Sequence, residues 1–187
     1  ALDIVAKMTL DEKIAQMHGE GFTRMMLSML LNQTAAVVYA GENERLGIPP
    51  LGFTDGPRGV ICGRATAFPV SMARAATWDT ELEGRVGDAI GKEARAQGAN
   101  YWGGLCINLV RHPSMGRAEE SYGEDPWLMG EMAVAVLEGV QNHNVMACAK
   151  HFALNSQETA RFKNDVQIDE RTLREVYLPH FKKVVEH

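Results

Sequence analysis

Cys106-Ile-Asn-Leu-Val110 leads directly into Arg111-His-Pro-Ser-Met-Gly-Arg117-Ala-Glu-Glu120-Ser-Tyr-Gly-Glu124-Asp125-Pro126. The first five residues are mostly apolar, as in a buried strand. Asp125-Pro126 is typical of a helix start, with an N-cap carboxylate and proline at the first helical position. The stretch between them carries more charged side chains than a connecting loop needs. It therefore predicts a strand-to-helix crossover that also holds a functional site.

Strand and helix signals alternate along the rest of the chain. β-Compatible runs predict three further strands, at residues 35–39, 51–54 and 145–149. Helix starts are predicted from N-cap patterns, which occur at Thr9 (with Glu12), Asp79, Asp125 and Asp169, and Gly98 is a stop signal. The side chains expected to face the core at helical spacing are Leu82, Val86, Ile90, Ala94, Met129, Ala133, Val136, Val140, Leu173, Tyr177, Phe181 and Val184.

This alternation predicts an α/β fold with parallel strands and helical crossovers, either a (β/α) barrel or a doubly wound sheet. No glycine-rich phosphate-binding sequence follows a predicted strand, which disfavours a nucleotide-binding fold. Polar side chains follow the strands instead, as at the catalytic face of a barrel: Asp55, Arg111, and Lys150 with His151. A complete barrel usually needs about 250 residues. The 187 residues present predict an incomplete (β/α)8 TIM-like barrel.

Charge and composition argue against several classes of function. A net charge of -5 without a basic stripe disfavours nucleic acid as a partner. The sequence has no Cys-x-x-Cys or His-x-x-x-His pair, and we expect neither a metal nor a cofactor. No apolar run reaches the roughly 20 residues that span a bilayer, so we expect no membrane partner. No signal-peptide pattern opens the chain, and a cytoplasmic and a secreted bacterial location are both compatible with it.

Asp55 lies in Thr54-Asp-Gly-Pro-Arg-Gly59, where glycine and proline constrain a turn at the end of a predicted strand. A carboxylate only accepts hydrogen bonds, so Asp55 could bind two hydroxyl groups of a sugar. Asp-Gly-Pro sequences also form turns in which the aspartate bonds to its own backbone. The residues alone leave both interpretations open.

Lys150 and His151 are adjacent, so their side chains point in different directions unless the peptide between them is distorted. They are either ligand-binding groups or a lysine that reaches solvent beside a hydrogen-bonded core histidine. Arg111 and Arg117 share their segment with several acids. We expect one arginine to contact a ligand and the other to form internal ion pairs.

Together these segments resemble the N-terminal barrel domain of glycoside hydrolase family 3, most closely its multi-domain β-glucosidases. The resemblance covers nearly the whole chain. It rests on seven motifs in the family's order: Met8-Thr-Leu-Asp-Glu-Lys-Ile14, Thr54-Asp-Gly-Pro57, Ala67-Phe-Pro69, Gly116-Arg117, Glu124-Asp-Pro126, Lys150-His-Phe152 and Asp169-Glu-Arg-Thr-Leu-Arg-Glu-Val-Tyr-Leu-Pro179. It implies that residues 1–187 are the N-terminal barrel domain of a larger glycosidase and end before the barrel closes.

The resemblance implies four ligands for the hydroxyl groups of the non-reducing-end sugar in subsite -1, namely Asp55, Arg117, Lys150 and His151. Arg111 and Glu120 then have supporting roles. Many relatives have a sugar-contacting arginine six residues after the aspartate, where this chain has Ile61. Arg58 and Arg64 are the candidates to replace it.

The family is retaining, which requires a nucleophilic carboxylate and an acid/base carboxyl group about 5 to 5.5 Å apart. In relatives the nucleophile lies in a Ser/Thr-Asp-Trp motif well after Lys-His-Phe, and the acid/base glutamate lies in a later domain. We therefore expect both after His187 and no hydrolysis by residues 1–187 alone. The one Trp-Asp pair here, Trp78-Asp79, has the reverse order and the pattern of a helix cap.

The predicted function is an exo-acting β-glucosidase that hydrolyses terminal non-reducing β-D-glucosyl residues of oligosaccharides or glucosides, with the remaining domains of the enzyme as partners. Lys150-His-Phe-Ala-Leu-Asn-Ser-Gln-Glu158 resembles this branch rather than the β-N-acetylglucosaminidases, which continue Lys-His-Phe with Pro-Gly. A β-xylosidase is an alternative, because the two sugars differ by one hydroxymethyl group. A non-catalytic carbohydrate-binding module is another, because every candidate residue binds sugar.

Overall fold

A five-stranded mixed sheet forms the centre of the fold. The computed structural model describes residues 1–20, 23, 26–27, 30–31 and 35–187. The strands are β1 (Gly19–Glu20), β2 (Val38–Ala40), β3 (Leu51–Thr54), β4 (Tyr101–Cys106) and β5 (Met146–Lys150). They lie in the sheet in the order of the sequence. The α/β class and the partial barrel predicted from the sequence are confirmed by this architecture together with the structural relatives given below.

The direction of the first strands differs from the prediction. β1 and β2 pair antiparallel, as do β2 and β3, whereas β3, β4 and β5 are parallel neighbours. We predicted parallel strands throughout. Only ten residues separate β2 from β3, and a parallel connection needs a crossover of a dozen or more. The short connection therefore returns the chain in the opposite direction.

Helices connect the parallel strands. Outside the incompletely described segment 21–34, the α-helices are α1 (Leu2–Lys7), α2 (Leu10–Ala15), α3 (Ser71–Ala75), α4 (Thr80–Ala96), α5 (Pro126–Gln141), α6 (Glu170–Thr172) and α7 (Pro179–Glu186). The predicted N-caps are confirmed, because Thr9, Asp79, Asp125 and Asp169 each accept a main-chain N–H of the following helix.

The core lies where α4 and α5 pack against β4. The predicted inward faces of both helices are buried except at Leu82, which is half-buried, and they include Ile90 and Ala94 of α4 and Val136 and Val140 of α5. They form one apolar cluster with Trp102 and Leu105 of β4. This packing holds the carboxyl ends of β3, β4 and β5 at one edge of the sheet, where the site forms.

The strand predicted at residues 106–110 is wrong in position, because β4 precedes it and overlaps it only at Cys106. Gly103 and Gly104 weaken the β signal of the true strand. The apolar run 107–109 is buried, but only the Ile107 N–H continues the pairing, with the Lys150 carbonyl oxygen at 2.7 Å.

The last predicted helix is interrupted. A π-helical turn at Leu173–Tyr177 follows α6, and the Leu178 N–H donates to the Leu173 carbonyl before α7 begins at Pro179. Proline has no N–H and cannot continue the helical hydrogen bonds. Phe181 and Val184 are nevertheless buried as predicted.

Candidate functional site

Asp55 and Lys150 meet at the ends of two strands that are not neighbours in the sheet. The Lys150 Nζ donates to Asp55 Oδ1 at 2.6 Å, and the Gly56 N–H donates to the same oxygen at 2.8 Å. The turn interpretation of Asp55 is confirmed, since Oδ1 accepts from its own turn, and the side chain also lines a cavity. Asp55 Oδ2 has no hydrogen bond to any described residue and can accept one from a ligand hydroxyl.

Arg117 lines the same cavity and is held by Glu120. Its Nε and Nη2 donate to the two Glu120 oxygens at 2.9 and 2.6 Å, which is the bidentate geometry that arginine favours. Both residues belong to the irregular segment around the 3₁₀ turn Ala118–Glu120 that joins β4 to α5. Glu120 also accepts from the Cys106 thiol at 3.3 Å. The guanidinium is thus fixed before any ligand binds.

His151 connects Arg117 to the end of β4. Its Nε2 lies 3.0 Å from Arg117 Nη1, and its Nδ1 lies 2.7 Å from Asn108 Oδ1. The peptide bond between Lys150 and His151 is cis. Both side chains line the same cavity, although adjacent residues of a regular strand point to opposite faces.

Burial and neighbouring charge perturb the pKa values of this group. Burial, together with Arg117 and Lys150, lowers the pKa of His151 to about 4. Burial alone would raise the pKa of Glu120, but the hydrogen bonds from Arg117 and Cys106 outweigh it and the pKa is lowered. Burial raises the pKa of the Cys106 thiol. At neutral pH the site therefore contains a neutral histidine and thiol, and an ionised Glu120.

The four predicted ligands line one cavity of about 640 Å³. This volume is within the roughly 300–1,000 Å³ of small-molecule sites. The rest of the lining comes from the segment 153–166, which contributes Asn155, Arg161 and Phe162 among others. Phe162 is 90% exposed, and Arg161 stacks on its ring at 4.9 Å. Such a rim of aromatic and polar groups suits a hydroxylated ligand with an apolar face.

The other predicted residues lie outside this cavity. Arg58 and Arg64 are exposed and do not line it. Arg58 donates to the Phe68 carbonyl at 3.3 Å. Arg111 is also exposed and forms no ion pair with any residue that the structure describes. Ile61 is 50% exposed and lies beside the Asp55 turn, where its N–H donates to the Asp55 carbonyl.

The described residues offer neither a metal site nor a membrane-spanning helix. Across the described parts of the chain, no group of three or more His, Cys, Asp or Glu side chains is arranged to hold a metal ion. Within the same residues, no helix has the length and apolar character needed to cross a membrane.

A family model described as the Glycosyl hydrolase family 3 N terminal domain matches residues 22–187. The chain belongs to glycoside hydrolase family 3. Curated relatives of this family 3 domain include the β-glucosidase of Rhizobium radiobacter, which is 39% identical over 98% of this chain and 22% of its own length. Thermostable β-glucosidase B of Acetivibrio thermocellus is also 39% identical, over 98% of this chain and 24% of its own length.

Solved structures give the same result. β-Glucosidase 3B of Thermotoga neapolitana, in complex with glucose, matches with a TM-score of 0.87 and 37% identity, over 98% of this chain and 27% of that one. The β-glucosidase of Kluyveromyces marxianus in complex with glucose matches with a TM-score of 0.82 and 32% identity, over 100% and 22%. The family 3 chain thus spans about a quarter, or less, of the length of these relatives.

Sequence reasoning missed Asn108, Glu158 and Arg161. Asn108 falls within the strand predicted at residues 106–110, although a buried amide within an apolar run is itself a signal, because it must find hydrogen-bond partners. Glu158 accepts from Arg161 at 2.9 Å and from Asn155 at 3.1 Å, and lies 3.9 Å from Arg117. It thereby ties the segment 153–166 to the site. In the sequence, Glu158 and Arg161 resemble an ordinary solvent-exposed ion pair three residues apart. No local pattern therefore identifies them as site residues.

Proposed function

We propose that this chain supplies the sugar-binding residues of a retaining, exo-acting β-glucosidase that hydrolyses terminal non-reducing β-D-glucosyl residues of oligosaccharides or glucosides. The observation that carries the proposal is the convergence of four residues from three separate segments on one cavity. Lys150 pairs with Asp55 at 2.6 Å, and Arg117 lies 3.0 Å from His151. Membership of family 3 and the glucose complexes of two structural relatives support it.

The chemistry of the cavity suits a neutral sugar. Asp55 offers an acceptor oxygen, Oδ2, that is unpaired among the described residues, while Lys150 and Arg117 offer donors that are fixed by carboxylates. A pyranose presents hydroxyl groups that both donate and accept, so each can bridge one donor and one acceptor of this set. Because the cations are already paired, the cavity has less attraction for an anionic ligand than the positive groups alone would give it.

We propose that the two catalytic carboxyl groups lie after His187. Among the described carboxylates, Asp55 lines the cavity and Glu120 and Glu158 lie against its lining residue Arg117, and each of the three is already paired with a cation. A nucleophile and an acid/base of a retaining enzyme need a free pair about 5 to 5.5 Å apart. The chain covers only a small part of the length of its relatives, which supports the same proposal.

The test is hydrolysis of an aryl β-glucoside by the full-length protein and by its Asp55→Ala variant. Asp55→Ala removes a charged residue that binds the sugar and leaves its buried partners unpaired. We therefore expect kcat/KM to fall by a factor that corresponds to a loss of about 2 to 4 kcal/mol of transition-state stabilisation. Asp88→Ala, on the outer helix α4, is the matched control and keeps wild-type turnover. Unchanged turnover in Asp55→Ala contradicts the proposal.

The same assay decides between the alternatives. NMR of the first product detects β-glucose if configuration is retained and α-glucose if it is inverted. Faster turnover of an aryl β-xyloside than of the glucoside favours a β-xylosidase. Glucose binding that depends on Asp55, without turnover of either substrate, favours a carbohydrate-binding module.

A further inference from the structure

Asn108 lies just after β4 and contacts both the main chain and the ring of His151. Its Oδ1 accepts from the His151 N–H at 3.1 Å, and its Nδ2 donates to the His151 carbonyl oxygen at 3.3 Å. A main-chain N–H only donates and a carbonyl only accepts, so these two contacts define which end of the amide is oxygen. The Asn108 atom that faces the His151 ring is therefore an acceptor.

The two ring nitrogens of His151 consequently have different roles. Nδ1 lies 2.7 Å from the acceptor oxygen of Asn108, so Nδ1 carries a proton. Nε2 lies 3.0 Å from Nη1 of Arg117, whose guanidinium has donors only. Nε2 must therefore accept that hydrogen bond. The ring is neutral, with its proton on Nδ1, because a proton on Nε2 would place the ring N–H opposite the guanidinium N–H of Arg117, and neither of these groups can accept a hydrogen bond.

We propose that Asn108 is a positioning residue for the β-glucosidase reaction: it holds His151 in the neutral Nδ1–H form, so that Nε2 accepts from Arg117 and orients the guanidinium toward the sugar. Asn108 is 5% exposed and does not line the cavity, so it acts through His151 rather than on the sugar. Ser121, also buried, holds Asn108 in turn by donating its hydroxyl hydrogen to the Asn108 main-chain carbonyl. The proposal rests on the function proposed above.

The charges that face His151 favour the same neutral form. Burial and the positive charges of Arg117 and Lys150 lower its pKa to about 4, and Glu120 and Glu158 oppose this only in part. The neutral ring therefore predominates above about pH 4. A negative charge at position 108 would raise this pKa, because a carboxylate beside Nδ1–H stabilises the imidazolium.

The first experiment measures the pH dependence of kcat/KM for Asn108→Asp in the full-length protein. Aspartate keeps the acceptor oxygen for Nδ1–H but adds a negative charge, which raises the pKa of His151. Nε2 therefore stays protonated up to a higher pH than in the wild type, and while it is protonated it cannot accept from Arg117. We expect the acid limb of the pH profile of kcat/KM to move to higher pH by about one unit or more, toward the usual pKa of histidine. Asn142→Asp, at the exposed end of α5, is the matched control and leaves the limb unmoved. An acid limb of Asn108→Asp at the wild-type position overturns the proposal.

A second variant covers the case in which Asn108→Asp does not fold. Asn108→Ser shortens the side chain and so withdraws the acceptor oxygen from Nδ1–H, without adding charge. We expect kcat/KM to fall about tenfold, with the acid limb at its wild-type position. Wild-type kcat/KM in folded Asn108→Ser overturns the proposal.

A third measurement needs no variant of Asn108 and no activity. In ¹⁵N-histidine-labelled full-length protein, the His151 signals are identified by their loss in His151→Gln. We expect a protonated Nδ1 and an unprotonated Nε2 at pH 7. An imidazolium or the Nε2–H form overturns the proposal. If instead the spectrum is as expected but no glucoside is hydrolysed, the proposed function fails while the assignment of the ring proton stands.

Discussion

At the scale of single residues, Glu120 determines how Arg117 is presented to the cavity. The carboxylate accepts two hydrogen bonds from the guanidinium, and side-chain exposure of both partners is low, at 20% and 23%. Partly buried charge-assisted bonds of this kind hold geometry better than exposed ion pairs do. The orientation of Arg117 therefore depends on two neighbours, Glu120 and His151.

Glu120→Gln should weaken this support. The amide retains one acceptor and loses the charge, so Arg117 is held less firmly and the transition state loses an interaction. We expect kcat/KM for an aryl β-glucoside to fall by about 10- to 100-fold, which corresponds to the loss of a charge-assisted hydrogen bond. Glu119→Gln is the matched control, since Glu119 is the exposed neighbour, and it should retain wild-type kcat/KM. Equal kinetics for the two variants would count against the role of Glu120.

At the scale of elements, α4 and α5 approach each other closely because glycine faces the contact. A Cβ at Gly87 would lie 2.3 Å from the Val136 carbonyl oxygen, whereas a Cβ at Gly84 would lie 3.6 Å from the Ala135 carbonyl oxygen. The first separation is a clash and the second is ordinary contact. The two positions are one helical turn apart and differ only in how near the partner helix lies.

Gly87→Ala should therefore destabilise the fold and Gly84→Ala should not. Pushing the helices apart costs about 1 to 3 kcal/mol of unfolding free energy. Alanine at Gly84 instead gains about 0.5 to 1 kcal/mol, because alanine loses less backbone entropy in a helix. Urea unfolding of the two variants measures both effects. Gly87→Ala with a higher midpoint than Gly84→Ala would show that the helices do not pack as closely as described.

At the scale of the whole molecule, one buried ion pair joins segments that are distant in sequence. Arg74 of α3 donates to Glu83 of α4 at 2.8 Å, and the two side chains are 3% and 0% exposed. Arg74 also donates to the carbonyl of Pro57, two residues after Asp55, and Tyr122 donates to Glu83 at 2.6 Å. The pair thus connects the Asp55 turn with the segment that carries Arg117.

Arg74→Met should destabilise the protein strongly. It leaves the Glu83 carboxylate buried without its cation, which costs about 3 to 5 kcal/mol of unfolding free energy. Lys92→Met makes the same kind of change on the outside of α4, where the lysine pairs with Asp88 in solvent, and its midpoint should stay close to that of wild type. Thermal unfolding of both variants checks the difference. Similar midpoints for the two would mean that the buried pair does not join these segments.

The sequence by itself determined the α/β class, the helix starts and most of the core faces of α4 and α5, because these depend on local capping and on periodic apolar side chains. The family followed from seven motifs in order, and that resemblance implied which four polar residues belong together, but not how they are held. The tertiary structure decided the antiparallel start of the sheet, the position of β4 and the interruption at Pro179. It also placed Asn108 against His151 and Glu158 near Arg117. Such contacts join residues up to 95 positions apart, as between Asp55 and Lys150, and no local pattern encodes a distance that forms only when the strands pair.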